Sequence, residues 1–194
     1  RSLAIAPGGR QLYVANSGGE SISIIDLETG TVTGKVKFPA VPYNAGFALN
    51  TPSVIAATLA GLQIVMSDGT LWKVVDNEAL PRRASSVIGT TAITAPRTMA
   101  AAPGGEYAVL LGGGGTAYLF DAMADDYVLS QTVATTPIQG YFGPVAAGPR
   151  GQYYVVNGTL LNSTLTPVNA GTAATTRPVA AVAAVSASQF VRFS

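Results

Sequence analysis

Three arginines are the first residues whose type and spacing suggest chemistry. Arg82 and Arg83 are adjacent, and Arg97 follows them. A guanidinium offers a planar fork of donors that suits a carboxylate or phosphate. These three are the candidate ligand-binding residues, with an anionic ligand as their target. Solvated positions on an outer strand and a loop are the plain alternative. Asp121, Asp125 and Asp126 form the densest acidic group, followed by Asp76 with Glu78. A calcium site needs several oxygens converging on one point. Asp125 and Asp126 fall in a turn between two expected strands, where neighbouring side chains point apart. No Asp-x-Asp-x-Asp-Gly loop is present, so the group is expected to be a solvated turn and no metal is assigned.

Other groups are weaker. Gly112 to Gly115 resemble a phosphate cradle only in composition, because the Lys-Ser/Thr pair and the following helix of a P-loop are missing. They are expected to form a hairpin tip. Trp72 alternates with Leu71 and is expected to pack in the interior. Asn16, Asp26 and Asn157 are expected to fix strand ends by bonding turn amides. Asn157-Gly158-Thr159 and Asn162-Ser163-Thr164 fit the glycosylation sequon, which matters only in a eukaryotic secretory setting. The 194-residue chain holds no His and no Cys, which removes the commonest general base, the commonest metal ligand and all thiol chemistry. No catalytic residue and no cofactor is assigned.

Composition sets the class of fold that must position these groups. Hydrophobic residues make up 48% of the chain and charged residues 11%, against an ordinary charged fraction of about 25%. The surface must therefore be carried by Ser, Thr, Asn, Gln and Gly. Twenty-two Gly and 12 Pro punctuate many short elements. The net charge of +1 without a basic run excludes a nucleic-acid footprint. No apolar run is long enough to span a bilayer as a helix. A low-charge, Cys-free chain rich in Thr, Ser, Gly and Ala leans towards an extracytoplasmic bacterial protein: secreted, periplasmic or at the cell surface. The sequence begins at Arg1 without a signal peptide. It is expected to have lost a leader or to be a piece of a longer protein.

The elements are short strands. Residues 2–6 are stopped by Pro7-Gly8-Gly9; residues 11–16, 21–26 and 31–38 follow as three more strands. Residues 39–95 are less regular. Strands are expected at 47–49, 54–58, 62–66, 70–76 and within 81–89, with 90–95 as a linking loop. Residues 97–136 restore the opening pattern, with strands at 107–111, 116–121 and 127–133. Residues 144–169 begin it again, with strands at 152–157 and 163–169. The last stretch, Gln189 to Ser194, resembles a first strand before its turn.

Two markers measure the repeat. The Pro turn recurs at Pro7, Pro103 and Pro149, with gaps of 96 and 46. The residue ending the third strand recurs at Asp26, Asp76, Asp121 and Asn169, with gaps of 50, 45 and 48. Both give a period near 48. Four strands per unit at that period predict an all-β fold, a β-propeller. One domain, 1–194, is expected, with blades over 1–40, 41–95, 96–136 and 137–177 and the first strand of a fifth over 178–194. That stray strand predicts a partial ring of six to eight blades, completed by the remaining blades of the same propeller. Small residues, among them Ala4, Ala6, Ala146 and Ala147, suit the innermost strand. The arginines would then lie near the channel mouth. The isolated segment is expected to expose blade faces and to self-associate.

Tyr13-Val14-Ala15-Asn16, the Ser21 to Asp26 strand and Thr29-Gly30 resemble the YVTN-type β-propeller repeat. Tyr154-Val155-Val156-Asn157 matches it in part, and Tyr107-Ala108-Val109-Leu110 stands in its place in the third unit. The resemblance implies a propeller of the kind found in bacterial secreted or periplasmic proteins and surface layers, and it specifies function poorly. Three functions follow as expectations. The favoured one is a non-catalytic scaffold for binding or surface presentation, with an unknown protein or carbohydrate ligand. The alternatives are part of a propeller enzyme, lactonase-like or quinone-dependent dehydrogenase-like, with its catalytic residues in absent blades, and a purely structural surface-layer array.

Overall fold

Strand-forming residues between Gly-, Pro-, Asn- and Asp-rich turns fold into five successive antiparallel sheets. The computed structural model describes residues 2–39, 50–89, 92–93, 95–134, 143–168 and 179–193. The first sheet contains β1 (Leu3–Ile5), β2 (Gln11–Asn16), β3 (Ser21–Asp26) and β4 (Thr31–Lys37) in that order. The second contains β5 (Pro52–Thr58), β6 (Gly61–Met66), β7 (Leu71–Val75) and β8 (Glu78–Pro81). The third contains β9 (Pro96–Ala101), β10 (Tyr107–Gly112), β11 (Thr116–Asp121) and β12 (Asp126–Thr132). A three-stranded sheet follows, β13 (Val145–Ala147), β14 (Tyr153–Val156) and β15 (Thr159–Asn162), then a pair, β16 (Ala181–Ala184) and β17 (Phe190–Phe193).

Each sheet is a meander, and the sheets pack through their first strands. β1 lies against β5, β5 against β9, β9 against β13, and β13 against β16. Small side chains allow that approach: Ala56, Ala57, Ala100, Ala101, Ala146 and Ala147 all lie on these strands. The sheets are therefore blades of a β-propeller, arranged as an arc. Among the described residues, no packing of comparable extent joins β16 back to β1.

The core is divided among the gaps between blades. Alternation sends Leu62 and Ile64 of β6 towards the first blade, where they meet Ile22 and Ile24. Val65, next to Ile64 and on the opposite side of the pleat, faces the third blade with Val54 and meets Leu110 and Phe120. Val109 and Leu111 turn the other way, onto Tyr154 and Leu161 of the fourth blade. An inner blade buries both faces, which is why β6 and β10 read as nearly continuous apolar runs. Each such side chain stabilises by about 1.5–3 kcal/mol on burial. Trp72 is packed between blades as its alternation predicts, with its ring edge-on to Phe38 at 5.5 Å.

Several boundaries differ from the sequence reading. In the second blade the outer strand is Glu78–Pro81, not a segment of 81–89, because Asp76 and Asn77 both take positive φ (50° and 64°) and turn the chain at once. Residues 92–93 do more than link: Ala92 bridges Thr70, and Ile93 is buried beside Leu71. In the fourth blade Asn157-Gly158 is itself a hairpin turn (φ 47° and 83°), so the third strand is Thr159–Asn162, not 163–169. In the last stretch, residues 190–193 form a second strand. The first strand is the alanine-rich Ala181–Ala184 that pairs with it. The expected strand at Phe47-Ala48-Leu49 and the marker Asn169 lie outside the described residues.

Candidate functional site

The candidate site is a groove of about 550 Å³ between the second and third blades, lined by Lys73, Arg82, Arg83, Asp125 and Asp126. Pleating of β7 positions the first of these. Leu71 and Lys73 point towards the third blade, while Trp72 and Val74 point towards the first. Arg82 comes just after β8, and its amide extends the ladder by donating to the Leu71 carbonyl at 2.9 Å. Asp125 comes from the β11–β12 turn, where it holds a positive φ of 48°.

The Arg82 side chain crosses the gap between blades. Its Nη1 donates to Gln63 Oε1 at 2.9 Å and to Asp125 Oδ1 at 3.0 Å. Its Nη2 donates to the Asp125 carbonyl. The guanidinium carbon lies 4.8 Å from the Phe120 ring centroid, within cation–π range. Lys73 Nζ donates to the second carboxylate oxygen of Asp125 at 2.6 Å. The buried Gln63 completes the network through Nε2, which donates to Thr58 Oγ1 and to the Gly61 carbonyl. Only 7% of the Arg82 side chain is exposed, against 42% of Asp125. Partial burial pushes the Asp125 carboxyl up. Hydrogen bonds and charge from Lys73 and Arg82 outweigh it and hold the group below the ordinary carboxylate range. Asp125 is thus an ionised acceptor, engaged by two cations.

The three sequence candidates have different fates. Arg82 is a strut between blades. Arg83, next to it, is exposed at the groove. The Arg97 side chain lies outside the described residues, although its backbone belongs to β9. Arg82 and Arg83 follow the outermost strand of their blade, so the groove lies away from the innermost strands that line the axis. Sequence reasoning missed Lys73 and Gln63. Their signal was polarity on a strand at positions alternating with buried apolar residues.

The remaining polar candidates serve the blades. Asp26 Oδ1 accepts from the Glu28 and Thr29 amides, each at 2.9 Å, and the Thr29 amide leads the effects that lower its pKa. Asp121 Oδ1 takes the Met123 amide in the same way, and Asn162 Oδ1 takes the amides of Thr164 and Thr166. Asn162 is therefore the fourth blade's counterpart of Asp26. Asn16 does not bond turn amides; its Nδ2 donates to Ser21 Oγ and Ser23 Oγ at 3.0 Å each. Asp126 Oδ1 accepts the Tyr127 amide at 2.8 Å. Gly112 to Gly115 join β10 to β11, and the Gly115 carbonyl receives the Val133 amide.

A second concavity, about 450 Å³, lies at the axis between β1, β5 and β9. Its lining is apolar, with Leu3, Ile5, Ile55, Met99 and several alanines. The groove is the more polar of the two. Its lining residues include three cations, Lys73, Arg82 and Arg83, and two anions, Asp125 and Asp126, which leaves one cation in excess. The arrangement can hold a polar or acidic group at Arg83, with Asp125 and Arg82 fixing the floor.

Comparison with solved structures places this architecture among propellers. The chain superposes on a chain of Kuenenia stuttgartiensis hydrazine synthase with a TM-score of 0.59 and 18% identity, over 87% of this chain and 47% of that one. It superposes on a chain from a crystal structure of the mitotic checkpoint complex with a TM-score of 0.61 and 14% identity, over 99% of this chain and 63% of that one. Both contain propellers, and this chain spans about half to two thirds of their length. No protein-family profile matches the chain, and no curated protein does. At these identities the likeness is one of fold.

Proposed function

We propose that the chain is a non-catalytic propeller segment of an extracytoplasmic bacterial protein, built from YVTN-type repeats and serving as a binding or presentation scaffold. The observation that carries this reading is the use made of charge in the groove. Lys73, Arg82 and Asp125 are engaged with one another across two blades, while Arg83 beside them faces solvent. Groups held that firmly build a rigid floor, and an exposed guanidinium on a rigid floor is suited to a carboxylate or sulfate on a protein or carbohydrate partner. The repeat strands themselves position the blades, as Asp26, Asp121 and Asn162 do by closing their own turns.

The test is direct binding of the 194-residue chain to a glycan array and to a library of acidic peptides, with Arg83→Ala alongside. Retention of a defined acidic glycan or peptide, weakened about tenfold by R83A, supports the proposal; losing one charge-assisted hydrogen bond is worth that factor. Turnover of a small substrate by these blades would sink it.

A further inference from the structure

The groove between the second and third blades follows the free edge of a strand. β8 is the outermost strand of its blade. Its register sets Leu80 opposite Lys73 and Ala79 opposite Val74, and the Arg82 amide bonds the Leu71 carbonyl. Antiparallel ladders alternate, so Leu80 and Arg82 use their backbone groups on β7, whereas Ala79 and Pro81 turn theirs outward. Pro81 suits that position, because its missing donor falls on the side away from the ladder. The outward set is one amide, of Ala79, and two carbonyls, of Ala79 and Pro81. Alternation also puts Leu80 and Arg82 on the pleat face turned to the third blade, and Ala79 and Pro81 on the other. Leu80, Pro81, Arg82, Arg83 and Ala84 line the groove in succession. Residues of both pleat faces thus border it, which places it along the strand's edge.

The other outer edges are blunted or covered. β4 has a register shift opposite Ile24 and Ile25 and carries the exposed Lys35 and Lys37; β12 has one opposite Leu119 and Phe120. Bulges and lysines discourage edge pairing. β15 is covered by Val168, whose amide donates to the Leu160 carbonyl. β8 pairs with β7 without a register shift. Pro81 removes one donor from its edge and leaves the three outward groups in place.

We propose that an extended acidic peptide adds beside β8 as a fifth strand of the second blade. Its backbone pairs with the Ala79 amide and carbonyl and with the Pro81 carbonyl, and its Glu or Asp side chain lies on Arg83. This rests on the reading of the groove as the binding site, and it names the partner as a peptide, not a carbohydrate. Charge complementarity selects the acidic side chain: the groove has one cation in excess, Lys73 and Arg82 are engaged by Asp125, and Arg83 is exposed. Main-chain pairing supplies affinity, and the position of the acid sets the register.

Blocked octapeptides of alternating Thr and Val, with Glu placed at each position in turn, test it by titration into the 194-residue chain, with a sulfated disaccharide alongside. One Glu position is expected to bind best, and the Ala79 amide is expected to gain protection from hydrogen exchange in that complex. Backbone N-methylation of the best peptide is expected to weaken it about tenfold at alternate positions only. Ala79→Pro removes the donor from the chain's side. It is expected to keep the melting transition, because that amide takes no part in the ladder with β7, and to weaken the peptide by a similar factor. The N-methyl series gives its answer whether or not A79P folds. Peptide binding without protection at Ala79, with N-methylation tolerated throughout, overturns the strand addition and leaves anion binding in the groove standing. Binding of the disaccharide through Arg83 when no peptide binds has the same meaning. If neither probe binds, the reading of the groove falls together with this proposal.

Discussion

Arg82 of the second blade and Asp125 of the third, 43 residues apart, meet at 3.0 Å, and the Phe120 ring lies beneath the guanidinium. Two sheets whose shared core is apolar are thereby pinned at their outer edge. The pin also fixes how far the blades splay, since the Asp125 carbonyl accepts from the same guanidinium.

Replacing Arg82 by Leu removes the donor to a buried Gln63 oxygen as well as the pair with Asp125. An orphaned buried acceptor and a lost charge-assisted bond together cost about 1.5–3 kcal/mol. Urea unfolding of R82L is expected to show that loss, whereas R83A is expected to unfold within about 0.5 kcal/mol of the parent.

Asp125 also predicts an acid dependence. Its folded pKa is depressed relative to the unfolded chain, where an Asp titrates near about 3.9. The stability it contributes is fully present above that value and is lost as pH falls through the lower folded value. Asp26 adds an exposed contribution of the same sign. Stability measured from pH 6 to pH 2 is expected to fall more gently in Asp125→Asn than in the parent, and the two curves are expected to converge in acid.

How much of this was legible depends on the range of the interaction. β2 and β3 have the bounds read from the sequence, because Gly and Pro turns and β-branched strands act within a few residues. The repeat gave the blades, since one period was marked twice. The fourth blade differs where a local signal outweighs the repeat: Asn157-Gly158 is a strong hairpin pair, and Asn162 holds the turn after the third strand. The groove was half legible. Arg82 and Arg83 were visible as a basic pair, but the Asp125 that engages one of them comes from another blade. The packing of the second blade on the third, not their spacing in the sequence, brings them together.

The interblade core makes a sharper prediction than the surface. Leu110 is fully buried between the second and third blades, while Met123 is 87% exposed. Leu110→Ala is expected to cost about 2–5 kcal/mol, and Met123→Ala less than about 0.5 kcal/mol. Parallel thermal melts of the two variants check the contrast.

The turns before each second strand offer a matched pair of glycines. Gly9 and Gly105 both have φ of 77°, so a side chain at either meets the same backbone penalty, about 1–2 kcal/mol. Their surroundings differ. A Cβ at Gly9 would stand in open space; one at Gly105 would fall on Pro7 Cγ and 3.1 Å from the Leu59 amide nitrogen. The Leu59 amide donates to the Gly105 carbonyl at 2.9 Å, which ties this turn to the second blade and resists any shift. Gly105→Ala is therefore expected to destabilise more than Gly9→Ala, by at least about 1 kcal/mol. Hydrogen exchange at Leu59 supplies the local readout, since protection there is expected to fall in G105A and to survive in G9A. Equal melting temperatures for the two variants, with equal protection at Leu59, would mean that the turns of neighbouring blades do not bear on each other.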